Sequence, residues 1–247
     1  MKIFRNIIPF AKLFYSLKYL TEYNKEISKA RKAGDFERER EFILKSTTLW
    51  GNHIIKTFDI DLTVTGKENL PDKGPVVFVG NHPGYADIPV TCVALDKFQF
   101  AYVAKNVLSK IPFYGEWIKQ IRGVFIERED TRSSLRAISE GIELIEQGFS
   151  LFVFPEGTRS KSYDVAEFKK GSLRLATKPE VPIIPITLYG THLVWEEQLY
   201  LKKGASVEII IHPPIETKGM SKAESNNLMA EVKEIILSGL EGKDQPK

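Results

Sequence analysis

Residues Pro75–Asp87 read "PVVFVGNHPGYAD". The first half is an unbroken apolar run closed by a glycine, the pattern of a short strand buried on both faces. The second half breaks at Pro83-Gly84 and resumes at Asp87, so the strand ends, the chain turns and a helix starts near Asp87. His82 and Asp87 flank that turn. On one continuous helix, positions five apart are rotated by about 500° and their side chains diverge. Across a Pro-Gly break an imidazole and a carboxylate can approach each other again.

The same alternation continues outward. Upstream, "DLTVTG" reads as a short strand and "KENLPDKG" as a loop. Downstream come a helix over about 86–96, strand "FQFAYVA", helical "YGEWIKQI", strand "GVFIE", a helix over 130–147 and strand "SLFVFP". A helix near 168–178, strands "PIIPITLYG" and "SVEIIIH", and a last helix over 221–240 complete the chain. Strands alternating with helices at short spacing predict an α/β fold: a mixed, largely parallel sheet flanked by helices, over residues 59–247. Residues 1–58 read as a helical hairpin placed before it, with a break at "AGDF".

The chain has 247 residues, 43% hydrophobic and 27% charged, the composition of a folded protein. A net charge of +3 is too small to indicate nucleic-acid binding, and no nucleic-acid motif accompanies it. The single cysteine, Cys92, excludes an internal disulfide and lies in an apolar run that reads as buried helix. His53, on a mixed helical face, reads as a packing or surface residue. Paired metal-ligand spacing, a P-loop, GxSxG and GxGxxG are all lacking, so no metal, serine acyl-enzyme or tightly bound cofactor is expected.

The first twenty residues carry Lys2, Arg5, Lys12 and Lys18 with no acid before Glu22. Their apolar stretches fall short of the ~18 residues that span a bilayer. On a helical wheel Ile3, Ile7, Phe10, Phe14 and Leu17 share one side, flanked by Phe4, Ile8, Ala11 and Tyr15. Lys2, Arg5, Lys12 and Ser16 gather opposite. A basic amphipathic helix rich in aromatics fits the membrane interface; the alternative is a helix packed on its own domain.

Three polar clusters end apolar strands: "NHPGYAD", "GVFIER" and "FPEGTRS". Strand ends are where sites form in open α/β sheets. Together, in this order, the clusters resemble the glycerolipid acyltransferase family, most closely the bacterial 1-acyl-glycerol-3-phosphate acyltransferases. The His-x4-Asp block is matched by His82 and Asp87. A Gly-x-x-Phe-x-x-Arg-like block is met, at slightly shorter spacing, by Gly123 and Arg128. Pro-Glu-Gly-Thr-Arg-Ser is matched without a gap by Pro155 to Ser160. A Val-Pro-Ile-hydrophobic-Pro strand appears at Val181 to Pro185.

The resemblance implies acyl transfer from an acyl thioester, carried by coenzyme A or acyl carrier protein, to the sn-2 hydroxyl of lysophosphatidic acid. Glycerol 3-phosphate or another lysophospholipid is the alternative acceptor, and a non-catalytic membrane adaptor is a third reading. The residue types suit the chemistry. An alcohol attacking a thioester needs a base, and His82 supplies one, with Asp87 fixing its tautomer. No protein nucleophile is needed, because the substrate brings the hydroxyl. Arg159 is the first candidate for the acceptor phosphate and Arg128 the second. Gly157 permits close backbone approach and Thr158 offers a hydroxyl. Gly123 and Lys105 complete the substrate-binding set. Glu156, an acid beside a phosphate, is expected to orient Arg159 or the loop. Pro182 and Pro185 read as an apolar wall or as edge prolines. The lipid substrates imply a peripheral position on the cytoplasmic face of the cell membrane, with the bilayer as partner.

Overall fold

The computed structural model describes residues 2–127, 130–169, 171–197 and 201–243, without the side chains of residues 2–8 and Phe10. Three helices come first, α1 (Lys2–Leu20), α2 (Asn24–Lys32) and α3 (Phe36–Phe58). Then follow β1 (Asp61–Thr65), β2 (Val77–Gly80), α4 (Asp87–Ala94), β3 (Phe100–Lys105), α5 (Tyr114–Gln120) and β4 (Val124–Ile126). The chain continues through α6 (Thr131–Glu146), β5 (Ser150–Val153), α7 (Arg174–Thr177), β6 (Ile183–Tyr189), β7 (Ser206–Ile211) and α8 (Lys222–Ser238).

The strands form one seven-stranded sheet in the order β1-β7-β6-β2-β5-β3-β4. Every neighbouring pair is parallel except β6 and β7. The mixed, largely parallel sheet expected from the sequence is therefore present. Connections leave β2 toward β3 on one side, and the path from β5 crosses to β6 on the other. Such a switch point opens a crevice at the carboxyl ends of the central strands. The central strands are apolar because both faces are covered. Phe78, Phe100 and Phe152, one each from β2, β3 and β5, are at most 2% exposed and pack ring to ring at 5.5–6.0 Å. Burying each contributes about 1.5–3 kcal/mol.

The helices before the sheet share its core. Leu20, Ile27, Ile43, Trp50 and Ile54 are buried in the same apolar cluster as the strands. Glu39 of α3, wholly buried, accepts from Arg31 Nε of α2 (2.7 Å) and from Arg122 Nε and Nη2 (2.8 and 2.9 Å) after α5. A buried carboxylate is tolerated here because two guanidiniums satisfy it.

Two local expectations change. The helix near 168–178 shrinks to Arg174–Thr177, because Gly171 adopts φ +105° and interrupts it. In α1, Ser16 is buried, not on a polar face, and accepts from Trp50 Nε1 at 3.2 Å. Leu13 and Leu17 lean on the core while Phe14 and Tyr15 are 65% and 61% exposed, so α1 has both a packed face and a free one. The wheel's Lys2, Ile3, Phe4, Arg5, Ile7, Ile8 and Phe10 have side chains outside the described residues. Pro185 lies buried inside β6 and not at an edge; its carbonyl accepts from the His212 N–H beyond the end of β7.

Candidate active site

β2 ends against β6 through Asn81, whose side-chain amide donates to the Leu188 carbonyl (2.9 Å) and accepts from the Leu188 N–H (2.8 Å). The next residue is His82. Its Nδ1 lies 2.5 Å from Oδ2 of Asp87, the first residue of α4. Asp87 is wholly buried, and the same oxygen accepts the Gly84 N–H at 3.1 Å. The helix N-terminus adds a favourable field for its carboxylate. The imidazole lies flat on Phe154, centroids 4.0 Å apart and planes 16° apart. Ring orientation is thus fixed from the side by packing and from Nδ1 by the carboxylate. Among the described residues no hydrogen bond engages Nε2, and the His82 side chain is 17% exposed.

The "PEGTRS" loop follows β5 and is laced to the "NHPG" turn. The Ser160 N–H donates to the His82 carbonyl (2.9 Å) and the Lys161 N–H to the Pro83 carbonyl (3.0 Å). Glu156 does not orient Arg159. It is 3% exposed, and its carboxylate accepts the His82 N–H (2.6 Å) and the Ala166 N–H (2.8 Å). These two contacts tie the loop after β5 to the turn after β2. Burial is the chief cause that raises its pKa, against the pull of those two N–H groups.

Arg159 has another partner. Its Nη1 donates to Glu196 Oε1 at 2.6 Å, and its guanidinium lies 3.4 Å from the centroid of the Tyr85 ring. Glu196 follows the turn after β6, is buried, and also accepts the Tyr85 N–H at 2.8 Å. Burial raises the Glu196 pKa despite Arg159. The guanidinium is therefore held from below by a carboxylate and from the side by a ring, while its side chain stays 22% exposed. A planar cation so fixed is pre-organised for a phosphate. Gly84 is needed for this closeness: a Cβ there would lie 2.9 Å from Glu196 Oε2 and from the His192 backbone.

The remaining expected residues divide. Gly157 is buried at φ +74°, beneath Lys169, while Thr158 is exposed. Lys105 ends β3 exposed, on the rim of the same sheet edge. Gly123 is buried and donates its N–H to the Ile118 carbonyl (2.7 Å). A Cβ there would meet Ile118 Cγ2 at 2.4 Å, so the α5–β4 turn admits no side chain at this position. Arg128 lies outside the described residues. Cys92 is buried, and burial pushes its thiol up to about 12, which removes it as a nucleophile. His53 stacks on Tyr19 at 4.3 Å, a packing role. Sequence reasoning missed Tyr85, Phe154 and Glu196. The first two stood inside the quoted motifs, but Glu196 is one of two adjacent acids far downstream and carries no local signal.

The Acyltransferase family model matches residues 61–189. The chain is 35% identical to the 1-acyl-sn-glycerol-3-phosphate acyltransferase of Borreliella burgdorferi over 74% of its own length and 72% of that protein's. It is 38% identical to the chloroplastic 1-acyl-sn-glycerol-3-phosphate acyltransferase LPAT1 of Arabidopsis thaliana, over 68% of this chain and about half (47%) of the plant protein. Among solved structures, the crystal structure of the 1-acyl-sn-glycerophosphate (LPA) acyltransferase PlsC from Thermotoga maritima superposes with a TM-score of 0.74 at 29% identity, covering 100% of both chains.

Proposed function

The chain belongs to the Acyltransferase family, and on that premise we propose that it acylates the sn-2 hydroxyl of lysophosphatidic acid from an acyl thioester, giving phosphatidic acid. The observation that carries this reading is the 2.5 Å contact between His82 Nδ1 and Asp87, which leaves Nε2 unengaged among the described residues.

The proton path follows from that geometry. Asp87 accepts from Nδ1–H, so the lone pair sits on Nε2. Nε2 takes the proton of the acceptor hydroxyl as its oxygen attacks the thioester carbonyl. The new C–O bond forms, the carbonyl electrons move to oxygen, and Asp87 stabilises the imidazolium. The intermediate collapses, the C–S bond breaks, and Nε2 returns the proton to the departing thiolate. No group on the protein is acylated. Arg159 anchors the acceptor phosphate with the N–H groups not spent on Glu196. Lys105, on the rim, and Arg128 are further cations of this acceptor site, and Thr158 adds a hydroxyl. The donor carrier is coenzyme A or acyl carrier protein.

Residues 1–58 form a membrane-facing unit and residues 59–247 the catalytic one. The free face of α1 lies at a lipid surface, peripherally, on the cytoplasmic side. Among the described residues no helix is long and apolar enough to cross a membrane. Moving each CH₂ of an acyl chain from lipid to water costs about 0.8 kcal/mol, so a site held at the bilayer avoids a large extraction barrier.

The test is product analysis. Purified protein with an acyl thioester and lysophosphatidic acid should release thiol and form phosphatidic acid in equal amounts. Thiol release unaffected by any lysophospholipid would end the proposal, and release with glycerol 3-phosphate alone would move the acceptor.

A further inference from the structure

Five large apolar side chains stand exposed on two segments that touch. On α1 these are Phe14 and Tyr15; in the stretch 106–113 between β3 and α5 they are Val107 (60%), Ile111 (45%) and Phe113 (55%). The rings of Phe14 and Phe113 meet edge to face with centroids 6.2 Å apart, so the two groups form one surface.

The 106–113 stretch is built to hold this display. Leu108 packs inward on the core, while its neighbours point out. Ser109 Oγ donates to the Asn106 carbonyl (2.7 Å) and the Gly115 N–H to the Ile111 carbonyl (2.8 Å). The Tyr114 N–H donates to the Pro112 carbonyl (2.7 Å), closing a γ-turn centred on Phe113 at φ +64° and ψ −44°. A side-chain-bearing residue in that turn is strained. The stretch closes onto α5 only because residue 115 is glycine: a Cβ there would lie 2.4 Å from the Ser109 carbonyl oxygen. Strain and close packing therefore maintain an apolar surface that water disfavours.

Its surroundings choose the partner. Lys105 and Lys110 bracket the stretch, and Lys12 and Lys18 lie beside Phe14 and Tyr15, all exposed. The nearest acid on α5, Glu116, is already paired with Lys119 at 2.8 Å. The stretch follows β3, whose carboxyl end shares a sheet edge with β5 and β2, the strands that lead to Glu156 and His82. Lys18 leans on Tyr15 itself, its ammonium on the hydroxyl and over the ring, and Glu127 reaches the stretch only through Asn106 Nδ2 at 3.5 Å. Apolar tips flanked by cations that make no salt bridge among the described residues, at the edge that holds the site, fit an anionic lipid surface.

We propose that residues 106–113 are a second membrane-entry element. With the free face of α1 they place Val107, Ile111 and Phe113 in the headgroup–acyl boundary of an anionic bilayer and set the active edge against it. The inference rests on the lipid acceptor proposed above.

The test uses the buried, unreactive Cys92 as a silent background. Val107→Cys and Ile111→Cys are labelled with an environment-sensitive fluorophore, with Lys73→Cys, exposed before the opposite end of β2, as control. Full-length protein is mixed with vesicles of phosphatidylcholine and phosphatidylglycerol, with and without nitroxide on the acyl chains. The expected result is a blue shift at 107 and 111, with loss of most of their intensity to the nitroxide, and neither change at 73. High salt should weaken both effects. Aqueous emission at 107 and 111 on vesicle-bound, active enzyme would overturn the inference and leave the reaction standing. A blue shift that needs protein concentration and no lipid would also overturn it, pointing to a second copy of the chain. Lipid entry by a protein that makes no phosphatidic acid would keep the inference and remove the acceptor.

Discussion

Two regions on one sheet edge are finished in opposite ways. After β2 and β5, polar side chains are drawn in and hold one another: His82 with Asp87, Glu156 with two backbone N–H groups, Arg159 with Glu196. After β3, apolar groups are exposed and held out by a strained turn. The first arrangement fixes the directions of a base and a cation, and the second offers contact area with little geometric demand. A reaction between two amphiphiles needs both, rigid chemistry and a surface that admits lipid. Substitutions in the two regions should therefore separate turnover from lipid binding.

The largest separation is expected at Asp87. Asp87→Asn can favour the tautomer that places the proton on Nε2, and turnover should fall by about 10²–10⁴-fold. Vesicle binding should be unchanged. Steady-state kinetics beside vesicle sedimentation would check both, and loss of binding in parallel with turnover would merge the two regions.

Arg159→Ala should act on acceptor binding, raising the Michaelis constant for lysophosphatidic acid about 10- to 100-fold, the worth of hydrogen bonds to a charged group. Glu196→Gln keeps one acceptor but loses the charge that holds the guanidinium; a rise of about three- to ten-fold with little change in kcat is expected. A Glu196→Gln enzyme with an unchanged constant would show that Arg159 needs no support.

Ile111→Asp tests the other side. Removing one apolar anchor and adding a negative charge should weaken vesicle binding about tenfold, consistent with the worth of a buried aliphatic side chain. Turnover of a short-chain, monomerically dissolved substrate should be retained. Falling turnover on that substrate would mean the stretch supports the site directly.

The smallest effect is on stability against pH. The Glu156 carboxyl titrates above its usual 4.5 because burial disfavours its charge. A raised acid contributes stability that is complete below 4.5 and is lost as pH rises through the raised value. Glu156→Gln cannot titrate, so its unfolding free energy should lack that decline. Denaturant unfolding at a series of pH values measures it, and parallel curves for the two proteins would contradict the assignment.

The paired region was largely legible in the sequence, the apolar one was not. "PVVFV" and "SLFVF" are continuous apolar runs, so the parallel core could be read directly, and "NHPGYAD" announced its turn through Pro83 and Gly84. Glu196 was illegible because its partner lies 37 positions away and only the fold joins them. Glu156 was half read: its acid character argued against phosphate contact, but its backbone partners depend on how two loops meet. "NVLSKIPF" resembles any half-buried loop, since sequence shows that Val107 and Ile111 are apolar but not that Leu108 alone turns inward. On α1 the wheel found amphipathicity, yet Ser16 went to the core because Trp50 offers its indole N–H there.

In the proposed reaction the substrate hydroxyl, activated by His82, attacks the thioester with no acyl-enzyme. Rapid-mixing measurement of thiol release, for native protein and His82→Ala, tests it directly. The expected result is no thiol burst without lysophosphatidic acid, acceptor-dependent release by the native protein, and near-complete loss of that release in a folded His82→Ala protein. A stoichiometric burst without acceptor, or near-native turnover by His82→Ala, would contradict it.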